Sequence, residues 1–369
     1  MFHKVNFSGA KYSSIVTIGE QLRQKSIEEN REYLYLNRGI NQVVTIDLNP
    51  IAKAIDYNSE KLQYYPPGRG TSGLKKAVNT HFFQGSATDD NIFITSGGMN
   101  ALYLTISCLN YDTIYTPNLF WGAYGNLLKI HKKTQDFYHS FEDLISRPEA
   151  YADSAVIICD PNNPSGEKAP DKLLLNTVEA LAKHNVTVIW DGPYRKLFTD
   201  ENDTLYKKLL EYENVIITES FSKSVGLSGQ RVGFMHCSDK NFQKEFAVRL
   251  LFSGNGVNVF AQELIERLLV SPEGEKAVTQ FRNETTGAIK KNIAYLKKRG
   301  FIAEELYSYD EIWGIFVILN ITEQQLTNAA IGSVGLNYFT KDPKINTEAY
   351  SRVCVSVPHE KFKRFFDKL

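Results

Sequence analysis

The sequence lacks several features that define common classes of protein. Lys plus Arg equals Asp plus Glu, at 42 each, so the chain has no net charge with which to gather DNA, RNA or an anionic membrane. No uninterrupted apolar run approaches the ~18 residues of a membrane-spanning helix. The segment 1–10 has no apolar stretch of signal-peptide length. These absences favour a cytoplasmic protein that binds neither nucleic acid nor membrane.

Cysteine and histidine are also sparse. The cysteines are widely separated, with no C-x-x-C pair, which is typical of free buried thiols in a reducing compartment. No histidine stands in a metal-ligand pattern, and no G-x-G-x-x-G follows a strand-like segment. The sequence therefore indicates neither a metal centre nor a dinucleotide-binding fold.

Short apolar segments alternate with longer amphipathic ones through the middle of the chain. Strands are predicted at 91–95, 113–116, 155–159, 186–190 and 215–218, and helices at 99–109, 122–131 and 171–184. Helices that separate short, nearly continuous apolar strands are typical of an α/β protein. We therefore predict a mostly parallel central sheet covered by helices on both faces.

The C-terminal part has the pattern of a smaller α+β domain. A long helix is predicted at 275–299, strands at 312–320 and 353–357, and a last helix at 360–369. The N-terminal segment has helical periodicity but too little apolar surface to fold alone. We predict a large domain at 41–270 and a small domain formed by 1–40 plus 271–369.

The segment ITESFSKSVGLSGQRVGF places Lys223 directly after an apolar strand. Ligands bind at the carboxyl ends of strands in α/β sheets, and the hydroxyls and glycines around this lysine favour a tight turn over a helix interior. Desolvation or nearby positive charge makes a lysine nucleophilic, and Arg231 can supply charge while gripping a phosphate. Taken alone, a surface loop with one lysine explains the segment equally well.

The pattern SFSK-S-x-GL-x-x-x-RVG resembles the cofactor-lysine motif of class I/II aminotransferases. These are fold-type-I pyridoxal-phosphate enzymes, of which aspartate aminotransferase is one. The resemblance implies that Lys223 holds pyridoxal 5'-phosphate as a Schiff base. It extends from Gly39 to Arg352, with further motifs in the order of the family.

Three of these motifs concern the cofactor ring. In DPNNPSG, the resemblance implies that Asn163 donates a hydrogen bond to the ring hydroxyl oxygen, which a neutral amide can do without adding charge. In DGPYRKLF, it implies that Asp191 pairs with the protonated pyridine nitrogen and that Tyr194 binds the same ring oxygen. In PNLFWGAY, Trp121 fits the stacking position, and Phe120 is the alternative after a one-residue slip.

The phosphate is assigned to a second group of residues. TSGGMNAL is a strand end, a double glycine and a helix start, which aims backbone N–H groups and the positive helix end at an anion. The resemblance assigns the phosphate to the backbone of Gly97, Gly98 and Met99 and to the side chains of Ser220, Ser222 and Arg231. In YYPPGRG, Tyr65, or alternatively Tyr64, would reach the partner's phosphate across a homodimer with shared active sites.

Substrate contacts are assigned in the same way. Arg352, in SRVCVSV, resembles the arginine that binds the substrate α-carboxylate, a role that suits its planar fork. Gly39 resembles the small-domain glycine that closes over the substrate. Trp121 and Asn163 would contact the substrate as well as the cofactor.

Arg249, in VRLLFSGNG, resembles the arginine that aspartate aminotransferases bring from the partner subunit. That arginine would pair with a second carboxylate, which favours a dicarboxylic substrate. Gly254 and Asn255 depart from the family's more proline-rich turn, and a solvated helix arginine is the alternative reading.

The implied reaction moves an amino group between an amino acid and a 2-oxo acid by a ping-pong mechanism, with Lys223 as general base. A C–S lyase or an amino-acid decarboxylase is the alternative, because the cofactor carries the chemistry and the protein selects which bond breaks. A sensor without catalysis is a further alternative. Such regulators carry an added DNA-binding domain, for which the sequence before the small-domain pattern leaves no space.

Overall fold

The computed structural model describes residues 3–369, so the first two residues of the predicted N-terminal segment and small domain lie outside it. Within this range the strands are β1 (Leu34–Tyr35), β2 (Ile92–Thr95), β3 (Thr113–Pro117), β4 (Thr134–Tyr138), β5 (Ala155–Cys159), β6 (Thr187–Asp191), β7 (Val215–Ser220), β8 (Gly233–His236), β9 (Phe316–Leu319), β10 (Ile331–Gly332), β11 (Val334–Gly335) and β12 (Ser351–Cys354).

The helices in the N-terminal half are α1 (Ser14–Glu28), α2 (Asn49–Ala52), α3 (Glu60–Gln63), α4 (Ser72–Phe83), α5 (Gly98–Cys108), α6 (Ala123–Ile130), α7 (Phe141–Ser146) and α8 (Asp171–Ala182). The remaining helices are α9 (Arg195–Phe198), α10 (Leu205–Leu209), α11 (Phe221–Ser224), α12 (Lys240–Gly254), α13 (Val259–Val270), α14 (Pro272–Lys298), α15 (Glu323–Asn328) and α16 (His359–Phe366).

A seven-stranded sheet lies at the centre of the fold, in the order β2-β8-β7-β6-β5-β3-β4. All of its strands run parallel except β8, which is antiparallel to both of its neighbours. Val188 and Trp190 of β6 pack into the cluster under α4, α8 and α13, whereas Ile189 packs into the cluster under α5 and α6. Both faces are therefore covered, and the predicted α/β fold with a mostly parallel sheet is confirmed.

The N-terminal segment is joined to the C-terminal part of the chain by β1, which pairs in parallel with β10. A three-stranded antiparallel sheet, β11-β12-β9, lies beside them. The helix α14 packs against both α13 and α16, and so links the two parts of the chain. The division into domains at 41 and 270 remains a prediction.

Some predicted bounds were wrong. The strand predicted at 312–320 is shorter, because the Trp313 and Gly314 N–H groups donate to the Gly166 carbonyl. The strand predicted at 353–357 begins at Ser351 and ends at Cys354. No helix in the part of the chain that the structure describes is long and apolar enough to cross a membrane. In that same part, no three His, Cys, Asp or Glu side chains lie close enough together to hold a metal ion.

Candidate active site

The carboxyl ends of β5, β6 and β7 meet at a cleft of about 330 Å³. Their last residues, Cys159, Asp191 and Ser220, all line it, because parallel strands end at the same edge of a sheet. The residues that the sequence predicted and that line this cleft are Gly39, Gly98, Met99, Trp121, Asn163, Asp191, Tyr194, Ser220, Ser222, Lys223, Arg231 and Arg352. Folding thus brings together segments that are far apart in the sequence.

Lys223 lies in α11, a single helical turn that follows β7. The expected tight turn was therefore wrong, because the Ser220 side chain accepts a hydrogen bond from the Ser222 N–H and starts a helix there. The Lys223 ammonium donates to the Gly39 carbonyl. Burial lowers the pKa of Lys223 to about 8, assisted by the positive charges of Arg352, Arg38 and Arg231. The neutral, nucleophilic form is thus much more populated near neutral pH than in a free lysine.

Asp191 is a buried carboxylate with no cation beside it. It is only 4% exposed, and among the described residues it forms no ion pair. Its one hydrogen bond comes from the Tyr124 hydroxyl, at 2.5 Å. Burial raises the pKa of Asp191 to about 7. A carboxylate in such a place is costly unless a positive partner joins it, and a protonated ring nitrogen would be such a partner.

Arg352 is a buried guanidinium that contacts Asn163. Its Nη1 donates to the Asn163 Oδ1 at 3.1 Å and its Nη2 to the Asn37 carbonyl at 2.5 Å. Its Cζ lies 3.9 Å from the ring centroid of Phe316 and 4.5 Å from that of Phe339. Burial lowers the pKa of Arg352 to about 10, and its Nε has no hydrogen-bond partner. The two rings hold the fork in a fixed plane, ready for a carboxylate.

Asn163 also joins this arginine to the ring-binding residues. Its Nδ2 donates to the Tyr194 hydroxyl at 3.1 Å, and both side chains are buried. Burial raises the pKa of Tyr194 well above its ordinary value, so its hydroxyl stays protonated and can donate. An amide donor and a hydroxyl donor thus stand together, as an oxyanion on the ring would require.

Gly97 and Gly98 leave a hollow at the N-terminus of α5. A Cβ on Gly97, whose φ is +85°, would lie 2.5 Å from Arg231 Nη2, and a Cβ on Gly98 would lie 3.0 Å from the Ser220 Cβ. The Ser220 and Ser222 hydroxyls are 2.9 Å apart. A helix N-terminus, two hydroxyls and a guanidinium therefore surround one space, which suits a phosphate.

The structure distinguishes the two candidates for the stacking ring. Trp121 lines the cleft and meets Tyr124 edge to face, with centroids 5.6 Å apart. Phe120 is buried in the core, where its ring centroid lies 5.5 Å from that of Phe137. Trp121 is therefore the aromatic residue from this segment that a cofactor ring could meet.

The three residues that the sequence assigned to the partner subunit's site lie outside the cleft of their own subunit. Tyr64 and Tyr65 are 65% and 85% exposed, and Arg249 donates to Glu245 at 2.6 Å on the surface of α12. Tyr65 and Arg249 were assigned to the partner subunit's site, with Tyr64 as the alternative to Tyr65, so these roles stay predictions.

Sequence reasoning missed other residues of the cleft. Tyr124 could have been found, because it stands three residues after Trp121, in the first turn of the helix predicted at 122–131. Arg38 directly precedes the predicted Gly39. Ser13 and Val16, which also line the cleft, carry no sequence signal, since only tertiary packing brings the N-terminal segment there.

Comparison with solved structures identifies the fold. An aspartate aminotransferase from Thermus thermophilus with maleate aligns with a TM-score of 0.83 and 17% identity, covering 100% of this chain and 99% of that one. An aminotransferase from Mycobacterium tuberculosis aligns with a TM-score of 0.84 and 14% identity, covering 99% and 98%.

Sequence comparison identifies relatives over part of their length. A histidinol-phosphate aminotransferase from Sulfurovum sp. (strain NBC37-1) is 28% identical over 218 residues, which is 56% of this chain and 58% of that protein. One from Staphylococcus aureus (strain MSSA476) is 28% identical over 225 residues, 57% of this chain and 61% of that protein. The matched segment thus spans about three fifths of each relative.

The family model described as aminotransferase class I and II matches residues 32–369. This match includes every motif on which the resemblance was based. The chain belongs to the aminotransferase class I and II family.

Proposed function

We propose that this protein is a pyridoxal-phosphate-dependent aminotransferase that passes an amino group from an amino acid to a 2-oxo acid in two half-reactions. One observation carries the proposal. Lys223, whose pKa is lowered to about 8, faces the same cleft as the unpaired carboxylate Asp191 and the unpaired guanidinium Arg352. The carboxylate lacks a positive partner and the guanidinium lacks a negative one. A protonated cofactor ring and the carboxylate of an amino acid would supply these two partners.

The residues of the cleft fit this cofactor. Lys223 would hold its aldehyde carbon, Asp191 its ring nitrogen, and Asn163 and Tyr194 its ring oxygen. The phosphate would occupy the hollow that is bounded by Gly97, Gly98, Ser220, Ser222 and Arg231. When bound, the cofactor supplies an electron sink for the pair left behind when a bond to the substrate Cα breaks.

The protein's own groups select the bond and move the proton. Arg352 binds the α-carboxylate in a plane set by the two phenylalanine rings, which orients the substrate Cα. Lys223, as a neutral amine, takes the proton from that Cα. Asp191, with the Tyr124 hydroxyl donating to it, keeps its negative charge beside a ring nitrogen. Val16 adds an apolar side chain to the lining of the cleft.

The substrate is proposed to carry a second anionic group. Arg38 lines the cleft, is exposed, and forms no ion pair with any described residue. Its positive charge helps to lower the pKa of Lys223. The aspartate aminotransferase likeness favours a carboxylate, and the histidinol-phosphate relatives favour a phosphate. Arg249 of the partner subunit is the second candidate for this contact.

A homodimer with shared sites is also proposed. Large apolar side chains are exposed on the C-terminal half of α12 and at residues 64–65, here together called the α12 patch: Tyr64, Tyr65, Val248, Leu251 and Phe252. The two parts of the patch are neighbours, since a Cβ on Gly68 would lie 3.3 Å from Leu251 and a Cβ on Gly256 would lie 2.5 Å from Pro66. Apolar surface of this extent marks a protein contact.

The test of the function centres on Lys223→Ala. The wild-type protein is expected to be yellow and to bleach with borohydride, leaving the label on Lys223 in a peptide map. The variant should bind cofactor weakly and lose turnover by about 10²–10⁴-fold or more, since it lacks the base. Lys183→Ala, at an exposed residue directly after α8, is the control. Full turnover in Lys223→Ala would exclude the assignment.

Product analysis separates the reaction types. A panel of amino donors is incubated with 2-oxoglutarate and with pyruvate. A new amino acid together with an oxo acid from the donor indicates transamination. Pyruvate and ammonia formed without an acceptor would indicate a lyase, and carbon dioxide a decarboxylase.

The proposed second anionic group of the substrate is tested by measuring substrate specificity. Arg38→Gln should lower the ratio of kcat/KM for aspartate to that for alanine by about 10-fold or more, because a charge-assisted hydrogen bond is lost. Arg249→Gln is measured in parallel, and Arg23→Gln, an exposed change on α1, is the control. An unchanged ratio in both Arg38→Gln and Arg249→Gln would exclude a dicarboxylic substrate.

A further inference from the structure

A second cavity, of about 730 Å³, lies between α4, α9 and α14. In the part of the chain that the structure describes, it shares no lining residue with the active-site cleft. Its size is within the range of small-molecule sites. The proposed aminotransferase reaction makes no use of it.

Arg282 on α14 is one of the cations that line this cavity. Its Nε donates to the Ser224 carbonyl at 2.9 Å, and its Nη2 lies 3.0 Å from His81 Nε2. It has no carboxylate within ion-pair distance in the described chain. The buried Arg195 differs, since its Nη2 lies 2.8 Å from Asp171 and 2.7 Å from Asp203. Burial without such a partner lowers the pKa of Arg282 to about 10.

The remaining donor of Arg282 faces the cavity. Its Nη1 has no hydrogen bond to a described residue and is accessible to solvent. Since Arg282 lines the cavity, this donor is reached from there. A guanidinium offers its donors in a fixed fork that matches a carboxylate.

Among the described residues, Arg282 and Lys290 are the cations of the lining that have no carboxylate partner, and Lys290 is the more exposed of the two. Burial, and then the charge of Arg282, lower the pKa of His81 to about 3, so this ring is neutral and accepts from the guanidinium. Lys196 is 3.3 Å from Asp203 and already paired. The acidic residues of the lining, Asp200, Glu201 and Glu275, form no ion pair with Arg282.

One part of the lining is apolar and partly aromatic, beside polar side chains that include Thr80, Gln84 and Asn283. Phe198 and Trp313 lie with ring centroids 6.5 Å apart at 35°. Leu268, Val278 and Ile289 complete an apolar wall. An occupant that matches these surfaces has an anionic end and a flat apolar body.

We propose that this cavity is a binding site for an aromatic carboxylate, with the carboxylate on Arg282 and the ring against Phe198 and Trp313. The site is separate from the amino-acid site and does not depend on the proposed reaction. Arg282 contacts the Ser224 carbonyl, and Ser224 directly follows Lys223 in α11. The ligand would therefore lie close to the helical turn that carries Lys223.

The probe is phenylacetate, which has a ring and a carboxylate but no amino or oxo group to react. Its binding to the holoenzyme is measured by calorimetry. Arg282→Gln should weaken binding by about 10-fold or more, as expected for loss of a charge-assisted contact. Arg352→Gln, which changes the active-site cleft, should leave this binding in place. Binding that is lost only in Arg352→Gln, or is unchanged in Arg282→Gln, would overturn the proposal.

A second variant keeps the test independent of the Arg282 contact with Ser224. Thr279→Trp fills the cavity from an exposed position on α14 and should also abolish binding. Glu284→Trp, exposed on the same helix but outside the cavity, is the matched control and should bind as the wild type does. As a ligand control, 2-phenylethanol lacks the carboxylate and should bind about 10-fold more weakly. Equal binding of the two ligands, or full binding by Thr279→Trp, would contradict the site.

Discussion

Asp191 ends β6 in the protein interior, where its charge has no cation to balance it. Burial raises the pKa of this carboxyl from its ordinary 3.8 to about 7. Between these values the folded, cofactor-free protein binds more protons than the unfolded chain, so its stability falls as the pH rises from about 4 to about 7. The cofactor-free protein is therefore less stable than it would be without this carboxylate, which lies where a ring nitrogen is expected.

Asp191→Asn removes the charge and keeps the shape. The cofactor-free variant should have a higher Tm than the wild type at pH 8, by a stabilisation on the order of a few kcal/mol, and a smaller advantage at pH 5. Turnover should fall by about 10²-fold or more, because a neutral amide cannot hold a protonated ring nitrogen. Thermal unfolding at the two pH values and kcat/KM test this. Asp153→Asn, an exposed control, should show neither effect. A Tm advantage independent of pH would contradict the argument.

The junction of β2 with α5 is the structural element on which phosphate binding depends. Gly97 takes a φ of +85° there, and its missing Cβ leaves room for Arg231. A helix that starts directly at a strand end can present its N–H groups to an anion only if nothing fills the corner. The double glycine in the sequence therefore has a steric reason as well as a conformational one.

Gly97→Ala should weaken cofactor binding by about 10-fold or more, because the new methyl group displaces the Arg231 fork. Gly85→Ala is the matched control, since Gly85 has a φ of +72° but nothing within 4 Å of an added Cβ. Both variants should lose about 1–2 kcal/mol of stability from the left-handed backbone. Titration with pyridoxal 5'-phosphate separates them. An equal loss of affinity in both would show that backbone strain, rather than the hollow, is responsible.

Sequence patterns located most elements of the large sheet but missed two of its strands. β5, β6 and β7 were found, because strands buried on both faces are nearly continuous apolar runs. β4, with the sequence TQDFY, lies at the edge and is mostly polar, so its signal is weak. β8 lies within the motif that follows Lys223, and its antiparallel direction depends on its pairing with β2 and β7.

At the scale of the whole molecule, the α12 patch leads to the last prediction. Phe252 is 85% exposed, which is costly for a phenylalanine in water. Phe252→Asp should convert a dimer into monomers and lower turnover, measured by light scattering and by activity. Ile27→Asp, at a residue of α1 that is 74% exposed and outside the patch, is the control. A Phe252→Asp protein that stays dimeric and fully active would show that the patch is not the interface.

Sharing of the site between subunits has its own readout. Lys223→Ala and Tyr65→Ala proteins are each expected to be weakly active. If Tyr65 serves the partner's phosphate, mixed dimers contain one intact site, and activity should reappear when the two are co-expressed. No recovery in verified mixed dimers would place Tyr65 outside the shared site.

The sequence by itself determined the family, the parallel sheet and most of the cleft. Lys223, Asp191 and Asn163 each follow a buried strand, and parallel strands end at one edge, so local patterns were enough to predict their convergence. The tertiary structure alone decided which charges lack partners, since burial and ion pairing depend on residues that are distant in sequence. For that reason only the tertiary structure determined that Asp191 and Arg352 lack charged partners. It also determined that Arg38 lies near Lys223 and that a cavity lies at Arg282.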